Sequence, residues 1–229
     1  MFDKLEKVLG PLASKLSSNK VLIAIRDGFL VGTPLIIVAS IFIVIGNFPL
    51  PGYSEFIARF FGEGWEAYLD SVINSTFGIL ALLGVLGIGY YYGKAKGIEG
   101  IAGAAVSLVA FLILSPQSHP LFVNEKGSAF GGFAFGNLGT KGLFLAMITA
   151  LISVTIFTAV KNKGWTIKMP DGVPPAVMNS FAALVPSMFV MLVFFIVRLF
   201  FIFFTKDGYA HDFIYKVLQA PLMGFGQSL

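Results

Sequence analysis

Few residues in this chain have the type and spacing to do chemistry. Arg26-Asp27-Gly28 puts an adjacent pair of opposite charges at the mouth of the first apolar run. Such a pair could bind a polar ligand or pin the helix in register. The alternative is a snorkelling arginine beside a helix-capping aspartate. Arg198 lies inside VFFIVRLFFIFF, and an ionisable side chain at membrane depth is a functional-site hypothesis by default. Lys206 and Asp207 follow closely, so the guanidinium could instead reach an interface, and no partner is readable. Asn179 and Ser180 enter an apolar stretch just after PDGVPP. Polar side chains there need a neighbouring helix, a cavity or a ligand.

Other chemistries lack their parts. No catalytic residue is assigned. His119 and His211 stand in different segments without a carboxylate or second histidine at ligand spacing, so no metal site is expected. The chain has no cysteine, which excludes disulfides, thiolate metal sites and a cysteine nucleophile. The glycine-rich stretch 127–139 has no GKS/T and is not a phosphate loop, and no cofactor is called for. Glu55, Glu63, Glu66 and Asp70 share one loop and read as a solvated face. A net charge of +4 with basic residues scattered over loops leaves no nucleic-acid footprint. An intramembrane enzyme would need paired acids, histidines or serines within the apolar runs, and these are missing. A channel would need a filter motif or a ring-forming charge, and neither is present.

What must position these residues is a membrane bundle. Of 229 residues, 56% are apolar and 12% charged, the latter about half the usual share of a soluble domain. Mean hydropathy is +0.85. Five apolar runs, about 28–48, 74–93, 98–115, 141–160 and 177–204, each approach the ~20 residues that cross ~30 Å of hydrocarbon. The third is short and rich in small residues. Pro34 in the first is tolerable where neighbouring helices satisfy the freed carbonyl. Gly89, Gly93 and Gly97 recur at steps of four, a spacing that permits close helix approach.

Residues 2–18 carry Phe2, Leu5, Leu9, Leu12 and Leu16 on one helical face, predicting an amphipathic interfacial helix over 1–20. No secretory signal is visible. Residues 21–205 form the expected five-span domain, and 206–229 an amphipathic connector. A small extracellular hairpin is expected within 116–140, where Phe130, Phe133 and Phe135 fall, and a short interfacial helix within 56–69. Lys and Arg in alternate loops count ten on the N-terminal side against five on the other, which puts the N-terminus in the cytoplasm. The chain stops at GFGQSL with no closing cap or charged tail, which reads as the middle of a longer protein.

PDGVPPAVMNSFAALVPSMFV, LEKVLGPLASKLSSNKVLIAIRDGF, TPLIIVASIFIVIGNFPLPGY and FGNLGTKGLF together resemble enzyme IIC of the bacterial phosphotransferase system, lactose/cellobiose branch, in the same order along the chain. The resemblance implies the N-terminal half of a permease in the bacterial inner (plasma) membrane. Such a permease carries a disaccharide of the cellobiose, chitobiose or lactose type. It is coupled to phosphorylation by a separate enzyme IIB, so the chain itself is a transporter subunit and not an enzyme. Family members are homodimers of about ten spans, the first five building most of the dimer interface. The sugar-binding His and Glu of the family's second half have no counterparts here. Arg26, Asp27 and Asn179 are the candidates for pathway or half-to-half contacts. The alternative function is a non-transporting fragment acting as a dimerisation scaffold.

Overall fold

The computed structural model describes residues 17–123, 129–170, 172–206, 208–219 and 221. The amphipathic helix expected over 1–20 lies, except for its end, outside the described residues. Asn19 opens the first helix, its side-chain oxygen accepting from the Val21 N–H at 2.9 Å, and α1 runs Lys20–Leu30. Helix α2, Thr33–Gly46, has Pro34 in its first turn, where the missing N–H forfeits no helix bond. The first apolar stretch is thus Lys20–Gly46. It starts earlier than the periodicity suggests and breaks at Val31–Gly32, so Pro34 begins its second part.

The following loop folds into α3, Tyr53–Phe61, and α4, Glu66–Asn74. A 3-10 turn at Phe77–Ile79 leads into α5, Leu80–Ala95. Helix α6 is Gly100–Leu114. Strands β1, Ser118–Val123, and β2, Ala129–Gly131, pair antiparallel with Ser118 opposite Gly131, so a hairpin does form within 116–140. Then come α7, Phe135–Leu138, a 3-10 turn at Thr140–Gly142, and α8, Leu143–Asn162. Helix α9, Pro175–Phe204, takes Pro174 as its N-cap, and Pro175 in its first turn forfeits no helix bond. Helix α10, Ala210–Ile214, continues as a π-helical turn, Tyr215–Gln219.

The chain is an all-α membrane bundle with one small hairpin. Four stretches are long and apolar enough to span: Lys20–Gly46, Glu66–Ala95, Thr140–Asn162 and Pro175–Phe204. The third expected span is α6, with 15 residues. At 1.5 Å per residue it covers ~22 Å, short of the ~30 Å hydrocarbon core.

Helices α5, α6 and α8 form the centre, with α1 against α5 and α9 against α6 and α8. Ile88, Phe111, Leu145, Val154 and Val190 are fully buried there. Lipid tails are as apolar as this core, so close fit holds the helices more than exclusion of water does. Two glycine crossings provide the fit. A Cβ on Gly87 would overlap the Gly28 carbonyl oxygen, and one on Gly103 would lie 3.2 Å from Gly93 Cα and 3.3 Å from the Gly89 carbonyl carbon. Gly97 leaves the helix with φ 79°, and the Ile98 N–H returns to Gly93 O at 3.0 Å, a Schellman-type closure. Ser107 and Ser153 face each other across α6 and α8, hydroxyl to hydroxyl at 2.9 Å. Helix α2 packs on α4 rather than on the bundle, and its Leu35, Ile37, Val38, Ile41 and Val44 are exposed.

Candidate functional site

Lys20 Nζ donates to Ala95 O at 3.2 Å, so α1 begins where α5 ends. Helices α6 and α9 also begin at this end, and α8 finishes there. It carries the lysines at 94, 96, 161, 163 and 168 and is the basic end of the bundle. The tight turn through Gly97 delivers Glu99 to the N-cap position of α6. Asn179, early in α9, donates from Nδ2 to Glu99 Oε1. Glu99, Lys161 and Asn179 line a pocket of about 70 Å³ with Ile98, Phe157 and the alanines between them. That is room for water, well below the ~300–1,000 Å³ of small-molecule sites. The site ties the starts of α6 and α9 together and holds a carboxylate, an ammonium and an amide within one recess.

This contact is testable. Asn179→Leu and Glu99→Ala are each expected to cost about 1 kcal/mol, and the double variant no more than either. A double-mutant cycle on thermal unfolding measures it.

Arg26 and Asp27 sit elsewhere. Their Nε–Oδ1 contact is 2.8 Å, with side chains 65% and 26% exposed. They lie in the second half of α1, and it is Asn19 that caps that helix. The face of α1 that carries Gly28 meets α5, whereas Asn179 meets α6. The structure therefore does not unite Asn179 with Arg26–Asp27 in one site. Glu99 and Lys161 were not singled out from sequence: glutamate is not a favoured N-cap type, and the Glu99 side chain makes no capping hydrogen bond to α6.

The opposite end holds a second polar cluster. Because α6 is short, its last carbonyls end below the level of its longer neighbours. They are met from three directions. Ser115 donates from Oγ to Phe111 O at 2.9 Å, Gln117 Nε2 donates to Leu112 O at 3.0 Å, and Arg198 Nη1 donates to Ile113 O at 2.6 Å. The Arg198 guanidinium also lies 5.2 Å from the Tyr209 ring centroid. Arg198 is thus a structural donor that completes a helix terminus across 85 residues of sequence.

His211, read from sequence as isolated, is buried. Its Nε2 lies 3.1 Å from Asn137 O, and its Nδ1 3.3 Å from Asp212 Oδ1. Gln219 Nε2 donates to Thr140 O at 2.8 Å, and Lys141 stands over the Tyr215 ring at 5.5 Å. Residues 209–219 therefore strap the turn 135–142. Asn137 is partly buried there, and among the described residues no hydrogen bond engages its side-chain amide. A larger pocket of about 240 Å³ is lined by Ile45, Tyr53, Ile57, Phe61, Trp65, Tyr68 and Leu69, a wall of aliphatic and aromatic side chains.

The family model described as phosphotransferase system, EIIC, matches residues 26–227. The chain is 39% identical over 230 residues to the oligo-beta-mannoside-specific EIIC component of Bacillus subtilis (strain 168), covering 100% of this chain and 51% of that protein. It is 36% identical over 228 residues to the cellobiose-specific EIIC component of Geobacillus stearothermophilus, covering 98% and 50%. Among solved structures, the transporter ChbC, the IIC component of an N,N'-diacetylchitobiose-specific phosphotransferase system, superposes with a TM-score of 0.89 at 40% identity, over 97% of this chain and 52% of that one. The chain spans about half the length of the relatives it matches.

Proposed function

The chain belongs to the phosphotransferase system EIIC family, and on that premise we propose that it is the first-half membrane domain of a disaccharide permease. The observation that carries this reading is the likeness to ChbC, at 40% identity over nearly the whole chain. The sugar is of the cellobiose, chitobiose or lactose type, and a IIB partner phosphorylates it at the cytoplasmic face of the bacterial plasma membrane. The excess of Lys and Arg at the basic end supports a cytoplasmic N-terminus.

In this reading the half contributes scaffold and wall rather than the whole sugar site. Residues 21–205 form a dimerisation domain. The exposed apolar faces of α2 and α9 support a homodimer, and residues 206–229 lead toward the second half. Arg26, Asp27 and Asn179 serve as pathway or half-to-half contacts, the first because its guanidinium is largely exposed beside a carboxylate. The unengaged amide of Asn137 suits a sugar hydroxyl, since an amide both donates and accepts.

Disaccharide binding by the purified chain, compared with the same chain extended through a second half to the length of its relatives, tests the reading. Light scattering on both samples reports assembly. Both are expected to be dimers, and only the longer protein should bind cellobiose or N,N'-diacetylchitobiose. Equal affinity in the two would overturn the division of labour between halves.

A further inference from the structure

The ends of α5 and α8 repeat one arrangement. Lys94 Nζ stands 4.9 Å from the Tyr90 ring centroid, and Lys96 Nζ 5.3 Å from that of Tyr92. Lys163 Nζ stands 5.2 Å from the Trp165 ring. In each case the ammonium folds back over an aromatic ring of its own last turn or the residues just after it. The rings are anchored in turn: Tyr92 is buried, Tyr90 packs edge-on to Tyr91 at 5.4 Å, and Trp165 lies 5.4 Å from Phe189 of α9.

Part of this has a plain structural cause. Two helix C-termini meet here, and cations near them oppose the negative pole of each dipole. That accounts for the sign of the charge. Among the described residues, none of the lysines at 20, 94, 96, 161, 163 and 168 forms an ion pair with a carboxylate. Glu99, three residues after Lys96, accepts from Asn179 instead, and Arg26 is answered by Asp27. Exposed Tyr and Trp rings favour headgroup level, which would bring the ammonium over Trp165 to phosphate depth. A docking protein would favour lysines extended outward; these are folded back over rings of their own helix ends.

We propose that Lys94, Lys96 and Lys163, held over Tyr90, Tyr92 and Trp165, form a binding site for the phosphate headgroup of an anionic phospholipid. The exposed Trp165 ring packs the glycerol region, buried Tyr92 anchors Lys96 from within the bundle, and the ammoniums supply the donors to phosphate oxygens. Juxtamembrane lysines favour anionic lipid by an increment per residue that falls off within a Debye length. Binding should therefore weaken with salt.

The test is native mass spectrometry and thermal unfolding of the full chain in a neutral detergent, with added phosphatidylglycerol or phosphatidylcholine. Phosphatidylglycerol is expected to bind about tenfold or more tightly than phosphatidylcholine. That preference should vanish in Lys94→Gln/Lys96→Gln/Lys163→Gln and persist in the triple Lys→Arg variant, which keeps the charge. Lys206→Gln, at the opposite end, should leave it unchanged. If the triple Gln variant elutes as aggregate, Lys163→Gln alone is expected to lose part of the preference. Equal binding of the two lipids, or an undiminished preference in a folded Gln variant, overturns the proposal. So does the full stabilisation appearing with inorganic phosphate alone, which would make this a simple anion site. Loss of IIB binding by the Gln variant with lipid binding intact would also overturn it, and would assign the lysines to a protein surface.

Discussion

Gly87→Val is expected to abolish the folded bundle, read as loss of the monodisperse peak in detergent and of a cooperative thermal transition. A Cβ at Gly87 overlaps the Gly28 carbonyl oxygen and lies 2.8 Å from Gly28 Cα, and one at Gly28 lies 2.6 Å from Ile88 Cα. Both obstacles are backbone, so no side chain can turn aside and the two helices must part. Parting them loses the α1–α5 contact along its length. In a membrane that contact has no hydrophobic effect behind it and rests on dispersion at short range. Overpacking an ordinary core costs ~1–3 kcal/mol; a valine wedged between two backbones should exceed that. Gly28→Val should do the same, and the two together should cost no more than one, because they break one crossing. Gly132→Ala is the control, since nothing lies within 4 Å of where its Cβ would stand. A Gly87→Val protein that still unfolds cooperatively near the parent midpoint would show that α1 is not held by this crossing.

Arg198→Leu is expected to be the next most damaging change, at about 2–3 kcal/mol. The number follows from what it strands. Ile113 O loses its donor at 2.6 Å, and Ser115 O a weaker one at 3.4 Å. An unpaired carbonyl out of reach of water costs ~1–3 kcal/mol. Leucine also removes the cation from the face of Tyr209, which loosens the start of the strap. Relief from holding a charge at depth offsets part of this, which keeps the total moderate. Arg198→Lys keeps the charge but not the fork, and should recover only part of the stability. Thermal unfolding of the two variants in one detergent decides the matter. If Arg198→Leu matches the parent, the guanidinium is a snorkelling passenger and the end of α6 is satisfied by other means.

The two readings of Arg198 left open by its sequence context are separated by the length of α6. A reader of VFFIVRLFFIFF sees a charge in a span. The need it meets arises 85 residues earlier, where a helix of 15 residues ends short of its neighbours. His211 is a similar case. Nothing near it in sequence announces that its ring would reach Asn137 O, because a strap is made by the fold. Glu99 and Asn179 are 80 positions apart and meet only because α6 and α9 start at the same end. By contrast, the hairpin before the Phe135 turn was legible, since it depends on a few adjacent residues, whereas Gly97, in sequence one of a helix-contact series, ends its helix at φ 79° with nothing near its Cβ position.

That difference is the general one for this protein. Which stretches are apolar and which end is basic follow from sequence alone, although the first helix begins at Lys20 rather than near 28 and the third apolar run is too short to span. Transfer into lipid is nearly a sum over consecutive side chains, and capping and proline chemistry act within a turn. Which helices touch, which glycines meet, and what a buried arginine or histidine is for belong to tertiary structure. These depend on the register between segments far apart in the chain, and a bilayer, as apolar as the helices it surrounds, supplies no pattern of polarity along the sequence from which that register could be read.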